Sequence, residues 1–326
     1  MARFIQYSSS DVSAPVLTGQ SGSLVAVLDA VLVNGYGTGA NTKIGTGWTK
    51  PYANTGTTVG CYQQGTGSMF CLSVDDSGKS AALGSEARLF GFDSLTSVDS
   101  GSNPFPTTAQ GVGGLNMVTT RKSQTHAPTE SIARPWYIFA DSRSLYMFIN
   151  SGDTANAYAA FFFGDFYSIK STADTCNCII SGRAVESNTN LANDSLDQLS
   201  AIGTATAGSF IAHAYSGEGT SILASKHGDG VKGSALKLAG TTAYLNPPDS
   251  ALYMSPVWVC ESATSTVRGR MRGLYQICHA ITNFTDLSTF SGSASSDFAG
   301  KTFVIFKQSG NAALYCMETS DTVETN

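Results

Sequence analysis

The residues that could do chemistry are few and scattered. The carboxylates most worth weighing are Asp75 and Asp76, adjacent at the end of an apolar run, and Asp165, which follows Gly164 inside the run YAAFFFGDF. A glycosidase needs two facing carboxylates about 5 to 10 Å apart, and sequence alone does not supply that distance. A buried Asp165 would carry a raised pKa unless paired, so the expectation for it is an ion pair with Arg134 or Arg143 rather than catalysis. No nucleophile elbow is present, and Ser, His and Asp are too dispersed to nominate a triad. The four histidines, His126, His213, His227 and His279, form no ligand pair. Cys278 precedes His279, but neighbours on a strand face opposite ways. Gly35-Tyr-Gly37-Thr-Gly39 matches neither the dinucleotide fingerprint nor the phosphate-binding loop, and it follows a helical run rather than a strand. It reads as a helix stop. The sequence therefore predicts no enzyme activity, no cofactor and no metal.

The densest basic cluster is Arg268-Gly-Arg270-Met-Arg272. On a strand the three would share one face. The net charge is −5, so the chain lacks the basic footprint of a nucleic-acid binder. The three are read as interface or salt-bridging arginines. Trp48, after a Gly-rich segment and before Pro51, is read as a surface-anchored side chain that docks on another element. Trp136 opens the run Trp136-Tyr137-Ile-Phe139. With Phe161-Phe162-Phe163, that run could line a sugar site, but at strand spacing it reads as core. Trp48, Trp136 and the three arginines are the candidate packing and interface residues. The seven cysteines are Cys61, Cys71, Cys176, Cys178, Cys260, Cys278 and Cys316, without a zinc pattern. In a chain made in a cytoplasm they are read as buried reduced thiols.

Pattern predicts the elements that must position these residues. Charged residues make up 13% of the chain, against roughly 25% in ordinary soluble domains, so Ser, Thr, Asn, Gln and Gly must build the polar surface. Aromatic content of 10% argues for a folded core rather than disorder. Leu24, Val25, Leu28, Val31 and Leu32 keep helical spacing, with Ser21 or Ser23 as N-cap and Asn34-Gly35 as the stop. The period then shifts to two. Strands are predicted over Ser68–Val74, Ala87–Phe92, Ser209–Tyr215, Leu252–Cys260, Gly273–Cys278, Thr302–Phe306 and Ala312–Cys316, with a turn at Asp75–Gly78. Arg134–Ala140 and Leu145–Ile149, flanking Asp141–Ser144, form a hairpin. Tyr158–Phe166 reads as a strand buried on both faces, bent or bulged at Gly164. Leu196–Ile202 reads as a short helix and Lys226–Gly233 as a loop. The expected fold is mainly β, antiparallel and sandwich- or barrel-like, with one N-terminal helix and few short helices.

No run reaches the roughly 18 apolar residues of a membrane span. The first residues lack the apolar segment of a signal peptide, so synthesis in a cytoplasm is expected. Residues 1–22 are read as a polar arm that orders only against a neighbour. Residues 23–120 are read as an N-terminal β-rich domain containing the helix, and 121–326 as a C-terminal β-rich domain, with a single domain as the alternative.

Several segments, in order, resemble a family of tailed-bacteriophage virion structural proteins. They are Leu28–Gly37, Gly47-Trp-Thr-Lys-Pro51, the strand before Asp75-Asp76, Arg88–Phe92, Arg134–Asp141, Phe162–Asp165, Val267–Tyr275 and Met317–Ser320. Together they span most of the chain. The resemblance implies a particle component without implying a chemistry, so no catalytic residue is carried over. The cysteines lie outside the shared pattern. The resemblance implies a non-enzymatic subunit in the virion, assembled in the bacterial host cytoplasm as a symmetric homo-oligomer. Its partners would be its own copies and other virion proteins, at the neck or collar or the tail exterior, with no nucleic-acid or membrane partner. Capsid decoration, and a fibre or receptor-binding module reading host surface glycan, are the alternatives. In such a particle the cysteines become candidate disulfides, with at least one bridge between subunits expected after release from the cell.

Overall fold

The computed structural model describes residues 4–18, 20–77, 86–107, 110, 115–118, 132–150, 158–182, 208–217, 222–227, 252, 254–261, 266–277, 284–294, 296–307 and 314–320. For residues 86, 115–118, 222–227 and 314 it describes the backbone alone. In chain order the first elements are β1 (Ile5–Ser8), α1 (Ser23–Leu28) with a π-helical continuation Asp29–Asn34, and a 3-10 turn Gly39–Asn41. Then come β2 (Thr49–Ala53), β3 (Val59–Gln63), β4 (Cys71–Asp75), β5 (Glu86–Phe92), β6 (Ser94–Ser97), β7 (Ser100–Ser102) and β8 (Leu115–Val118). The middle of the chain gives β9 (Trp136–Ala140), β10 (Ser144–Asn150), β11 (Tyr158–Asp165), β12 (Tyr167–Ser168), β13 (Cys178–Gly182), β14 (Gly208–Ile211) and β15 (Ile222–His227). The last are β16 (Met254–Glu261), β17 (Thr266–Ile277), β18 (Thr289–Ser291), β19 (Thr302–Lys307) and β20 (Leu314–Glu318).

The fold is mainly β and antiparallel, as expected. One long sheet runs β1-β9-β10-β11-β13-β14-β15-β16-β17-β20-β19-β18, with β12 pairing to β17 beside this path. It ends at β1 and β18 and does not close into a barrel. A second sheet runs β2-β3-β4-β5-β8. The expected hairpin is β9 and β10, with Leu145 opposite Ala140. Its turn forms because the Asp141 carboxylate accepts from the Arg143 and Ser144 backbone N–H groups, both at 2.8 Å.

β11 is buried along its whole length, and the strand period of two divides the central strands between two cores. Ile138, Ala140, Leu145, Met147, Phe161 and Phe163 pack with α1 and with β3, β4 and β5. Phe139, Tyr146, Phe148, Tyr158, Ala160 and Phe162 pack with β16, β17, β19 and β20. In the second core Phe306 stacks on Phe148 at 3.9 Å and meets Tyr158 edge-on at 5.5 Å. The first core draws residues from both sides of residue 120. Gly164 has φ 139° yet pairs in register with Ser144, so no bulge interrupts the strand. A Cβ there would overlap the Arg143 carbonyl, which is the reason for glycine.

The helix forms where its spacing predicts, but neither serine caps it. Gly22 holds the cap position with φ 84° and no side-chain bond. Ser21 Oγ donates to the Asp76 carbonyl and Ser23 Oγ to the Thr18 carbonyl. The cap comes from Asp76, whose Oδ2 accepts from Leu24 N at 2.8 Å. The expected turn therefore divides: Asp75 closes β4 and Asp76 caps α1. Gly35 ends the helix with φ 76°, and a Cβ there would overlap the Lys43 carbonyl.

Other expectations are corrected. The N-terminal segment does not wait for a neighbour: β1 pairs with β9, and Tyr7 and Leu17 are fully buried. Tyr7 and Leu17 reach the core while Val12 and Val16 stay exposed, and Tyr7 Oη donates to the Ile44 carbonyl at 2.6 Å. β14 stops at Ile211, so 212–215 leave the sheet. Lys226 and His227, expected in a loop, end β15. β17 starts at Thr266 and takes in all three arginines. The helix expected at 196–202 lies outside the described residues.

Candidate functional site

The densest polar chemistry among the described residues is a seam along β17, where arginines enter a largely apolar layer. A buried guanidinium needs partners, and register decides which each one meets. Trp258 pairs with Arg270 and Cys260 with Val267, with a register shift between Val259 and Cys260. Cross-strand partners share a face. Arg270 and Val267 therefore lie on one face and Arg268 on the other, the effect of one extra residue in a bulge. This corrects the expectation that all three arginines share a face.

Arg268 is fully buried. Its Nη1 donates to Glu261 Oε1 at 2.6 Å and to the His213 carbonyl at 3.0 Å, and its Nη2 donates to Asp174 Oδ2 at 3.1 Å. Its guanidinium also lies over the Phe166 and Tyr215 rings. Burial alone would raise the Asp174 carboxyl. Hydrogen bonds from Ser168 and the Cys176 N–H, with the Arg268 charge, hold it below the usual carboxylate range instead.

Arg272, also buried, grips the hairpin turn. Its Nη2 donates to Asp141 Oδ2 at 2.6 Å, and its Nη1 donates to Asp141 Oδ1 at 3.1 Å and to Ser144 Oγ at 2.8 Å. Burial opposes its charge, but the Asp141 carboxylate more than offsets this and raises the pKa of the guanidinium. Trp48 joins the same turn. Its Nε1 donates to the Asp141 carbonyl at 2.7 Å, and its ring packs on Phe163. The residue expected at the surface is thus a core residue, because its one polar atom finds a buried carbonyl. Trp136 is fully buried and donates to the Pro15 carbonyl at 3.1 Å. Arg270 is half-buried, with its guanidinium over the Tyr167 ring at 5.4 Å.

Asp165 pairs with Arg143, not Arg134: Nε donates at 3.0 Å and Nη2 at 2.8 Å, both to Oδ2. Gln64 Nε2 donates to Oδ1 at 2.9 Å, the Ser68 N–H to Oδ2 at 3.2 Å, and the Ser68 hydroxyl to Oδ1. The β3–β4 loop closes around this carboxylate so tightly that a Cβ on Gly67 would overlap it. That is why the strand expected from Ser68 begins at Cys71. Both oxygens are engaged and the side chain is fully buried. Asp165 therefore fastens a loop to the sheet rather than presenting a base to a substrate.

The other carboxylates weighed from sequence serve separate contacts. Asp75 accepts from the Ser77 N–H at 3.0 Å. Burial pushes the Asp76 carboxyl up to about 7, against the opposing pull of backbone N–H groups of Leu24, Gly22 and Val25. His213 Nε2 lies 2.9 Å from the Asp93 carboxylate. His126, His279 and the His227 side chain lie outside the described residues. Among the described residues no group of three His, Cys, Asp or Glu is placed to hold a metal ion.

Six cysteines are described, and no disulfide joins them; Cys278 lies outside the described residues. Cys61, Cys71, Cys178, Cys260 and Cys316 are buried, and Cys176 is half-buried. Burial raises Cys61, Cys178 and Cys260 and pushes Cys71 up to about 11, which makes them poor nucleophiles. Among the described cysteines, Cys176 alone has surface with which to meet another chain.

Sequence reasoning did not nominate Asp141, Ser144, Asp174, Glu261, Gln64 or Ser68. Asp141 and Ser144 lay in a segment read only as a turn. Glu261 carried a usable signal, an acid at the end of an apolar run, the same signal that singled out Asp165.

The structure defines a class: a mainly β, antiparallel chain whose interior charges lock distant segments together. No protein-family model matches the chain, and no curated protein matches it.

Proposed function

We propose that this chain is a non-enzymatic structural subunit of a tailed-phage virion, self-associating into a symmetric assembly at the neck or collar or on the tail exterior. The surface carries this reading. Val12, Val16, Ile44, Ile169, Trp258 and Val267 stand exposed in a chain with only 13% charged residues. Exposed apolar side chains are available for association, and charge is depleted in interface cores. The segments that resemble virion proteins coincide with parts that hold the fold. Arg134–Asp141 contains β9 and its turn, Phe162–Asp165 the clasp, and Val267–Tyr275 the arginine strand. This coincidence favours shared architecture over shared chemistry. Association would be driven by apolar burial at about 25 cal/mol per Å², and symmetry would repeat each contact. The aromatics weighed for a sugar site weigh against the receptor-binding alternative, since Trp136, Phe139 and Phe161–Phe163 are fully buried and Tyr137 is half-buried.

Cryo-electron microscopy of purified particles tests the proposal. Density for this chain in a ring or sheath at the neck or tail supports it. Density at a distal tip, or none, moves the function to receptor binding or to an enzyme outside the particle.

A further inference from the structure

We propose that the Asp11–Lys43 pair is a plug that closes the free edge of the long sheet and keeps a second copy's β1 from adding to it. β1 ends that sheet and pairs on one side, with β9. An edge strand offers its outward N–H and C=O groups to any other chain that can extend beside it. Ser9 N donates to the Trp136 carbonyl at 2.9 Å, and in an antiparallel ladder the residues whose backbone groups face the partner alternate along the strand. Ile5 and Tyr7 therefore turn their backbone groups to β9, and Gln6 and Ser8 turn theirs outward.

The outward groups are met inside the chain. The Lys43 ammonium donates to the Gln6 carbonyl at 3.0 Å. The Ser8 N–H donates to Asp11 Oδ2 at 2.9 Å, and the Ser8 carbonyl accepts from the Asp11 N–H at 3.0 Å. Asp11 and Lys43 face each other at 3.7 Å, and Tyr36 Oη donates to Asp11 Oδ2 at 2.6 Å. Two backbone bonds with Tyr36, at 2.9 and 2.8 Å, hold Lys43 in place. So long and partly exposed an ion pair adds little stability, so its placement is better explained by the edge it covers. Two other edges are blunted by different means: β18 is three residues long, and β2 carries Pro51, which has no N–H. What an open β1 would present stands beside the plug. Val12 and Ile44, the neighbours of Asp11 and Lys43, are 57% and 65% exposed. The occupant held off is a second β1, because antiparallel pairing of one edge with its own copy makes a two-fold contact in which each strand offers the same groups.

Sedimentation velocity of the full chain over a concentration series tests this. Asp11→Ala combined with Lys43→Met is expected to reach half-association at a concentration at least about 10-fold below that of wild type, the weight of about two backbone hydrogen bonds made between copies. Adding Gln6→Pro is expected to return it to within about 2-fold of wild type. Proline there removes an outward N–H, leaves the ladder to β9 intact and blocks pairing at the edge. If the double variant sediments like wild type, or if its added association survives Gln6→Pro, the inference is overturned. If circular dichroism shows that Asp11→Ala unfolds the chain, Lys43→Met alone makes the same comparison. It keeps the aliphatic stem and frees the Gln6 carbonyl, and no gain in association overturns the inference equally. None of these outcomes touches the structural-subunit reading, which microscopy of particles decides.

Discussion

Arg268 and Arg272 are buried and gripped by carboxylates, whereas Arg270, lying between them on the same strand, is half-buried beside the tyrosine ring that Arg272 also reaches. The three have one side-chain type and one spacing. Partner strands separate them. The shift opposite Val259 and Cys260 turns Arg268 onto Glu261, and Arg272 reaches the β9–β10 turn, while Arg270 stays opposite Trp258. The difference teaches that a charge inside this fold is placed by residues far away in sequence, and a charge at its surface by the row in which it lies. The buried pairs also specify register. A slip of β17 would strand a guanidinium in the apolar layer, at a cost of several kcal/mol.

The most severe way to break this comparison is to remove a buried arginine. Arg268→Ala would leave Glu261 and Asp174 without their cation, and Arg272→Ala would leave Asp141 without its own. Each is expected to lower the unfolding free energy by about 3–5 kcal/mol, read from urea midpoints at constant m. Arg272→Met combined with Asp141→Asn should recover part of that loss, because the amide oxygen still serves the turn and no orphan charge remains. A loss below about 1 kcal/mol for either alanine variant would show the interior pairs to be idle.

The legibility of the fold divides along the same line. The β9–β10 hairpin and buried β11 could be read from sequence because aromatic alternation and an Asp-Ser-Arg-Ser turn are local signals. The pairing of Asp165 was half legible. An acid ending an apolar run demanded a cation, and two were nominated, but only the structure chooses Arg143 over Arg134. The cap of α1 was illegible, since Asp76 arrives from the end of β4 while two nearby serines offered a local answer. The bulge that turns Arg268 inward was also illegible, because it is a property of two strands and not of one. Trp48 docks on another element as expected, but its burial was misread for a related reason: the carbonyl that satisfies its indole belongs to Asp141.

A smaller effect sharpens the comparison with a buried charge that has no cation. Among the described residues, Asp76 is held by backbone N–H groups alone, and burial lifts its carboxyl to about 7. The unfolded chain releases that proton near pH 4, so between there and about 7 the native state binds more protons than the unfolded state. Stability is therefore full at low pH and is lost as pH rises through about 7, by on the order of 4 kcal/mol at most. Asp76→Asn keeps an oxygen for Leu24 N and removes the titration. Its urea midpoint should vary less between pH 5 and 8 than that of wild type. Identical slopes for the two proteins would show that Asp76 ionises as freely in the fold as outside it. Asp76→Ala should in addition lose about 1 kcal/mol of cap energy at every pH.

The smallest expected change falls on Arg270. Its removal takes away a half-buried cation over a ring, a contact worth about 0.5–1 kcal/mol. Arg270→Ala should accordingly shift the unfolding free energy by less than about 1 kcal/mol, several-fold less than either neighbour two residues away. Its size makes the measurement discriminating. If Arg270→Ala costs as much as Arg272→Ala, Arg270 is part of the locked interior, and the division of β17 into inward and outward arginines is wrong.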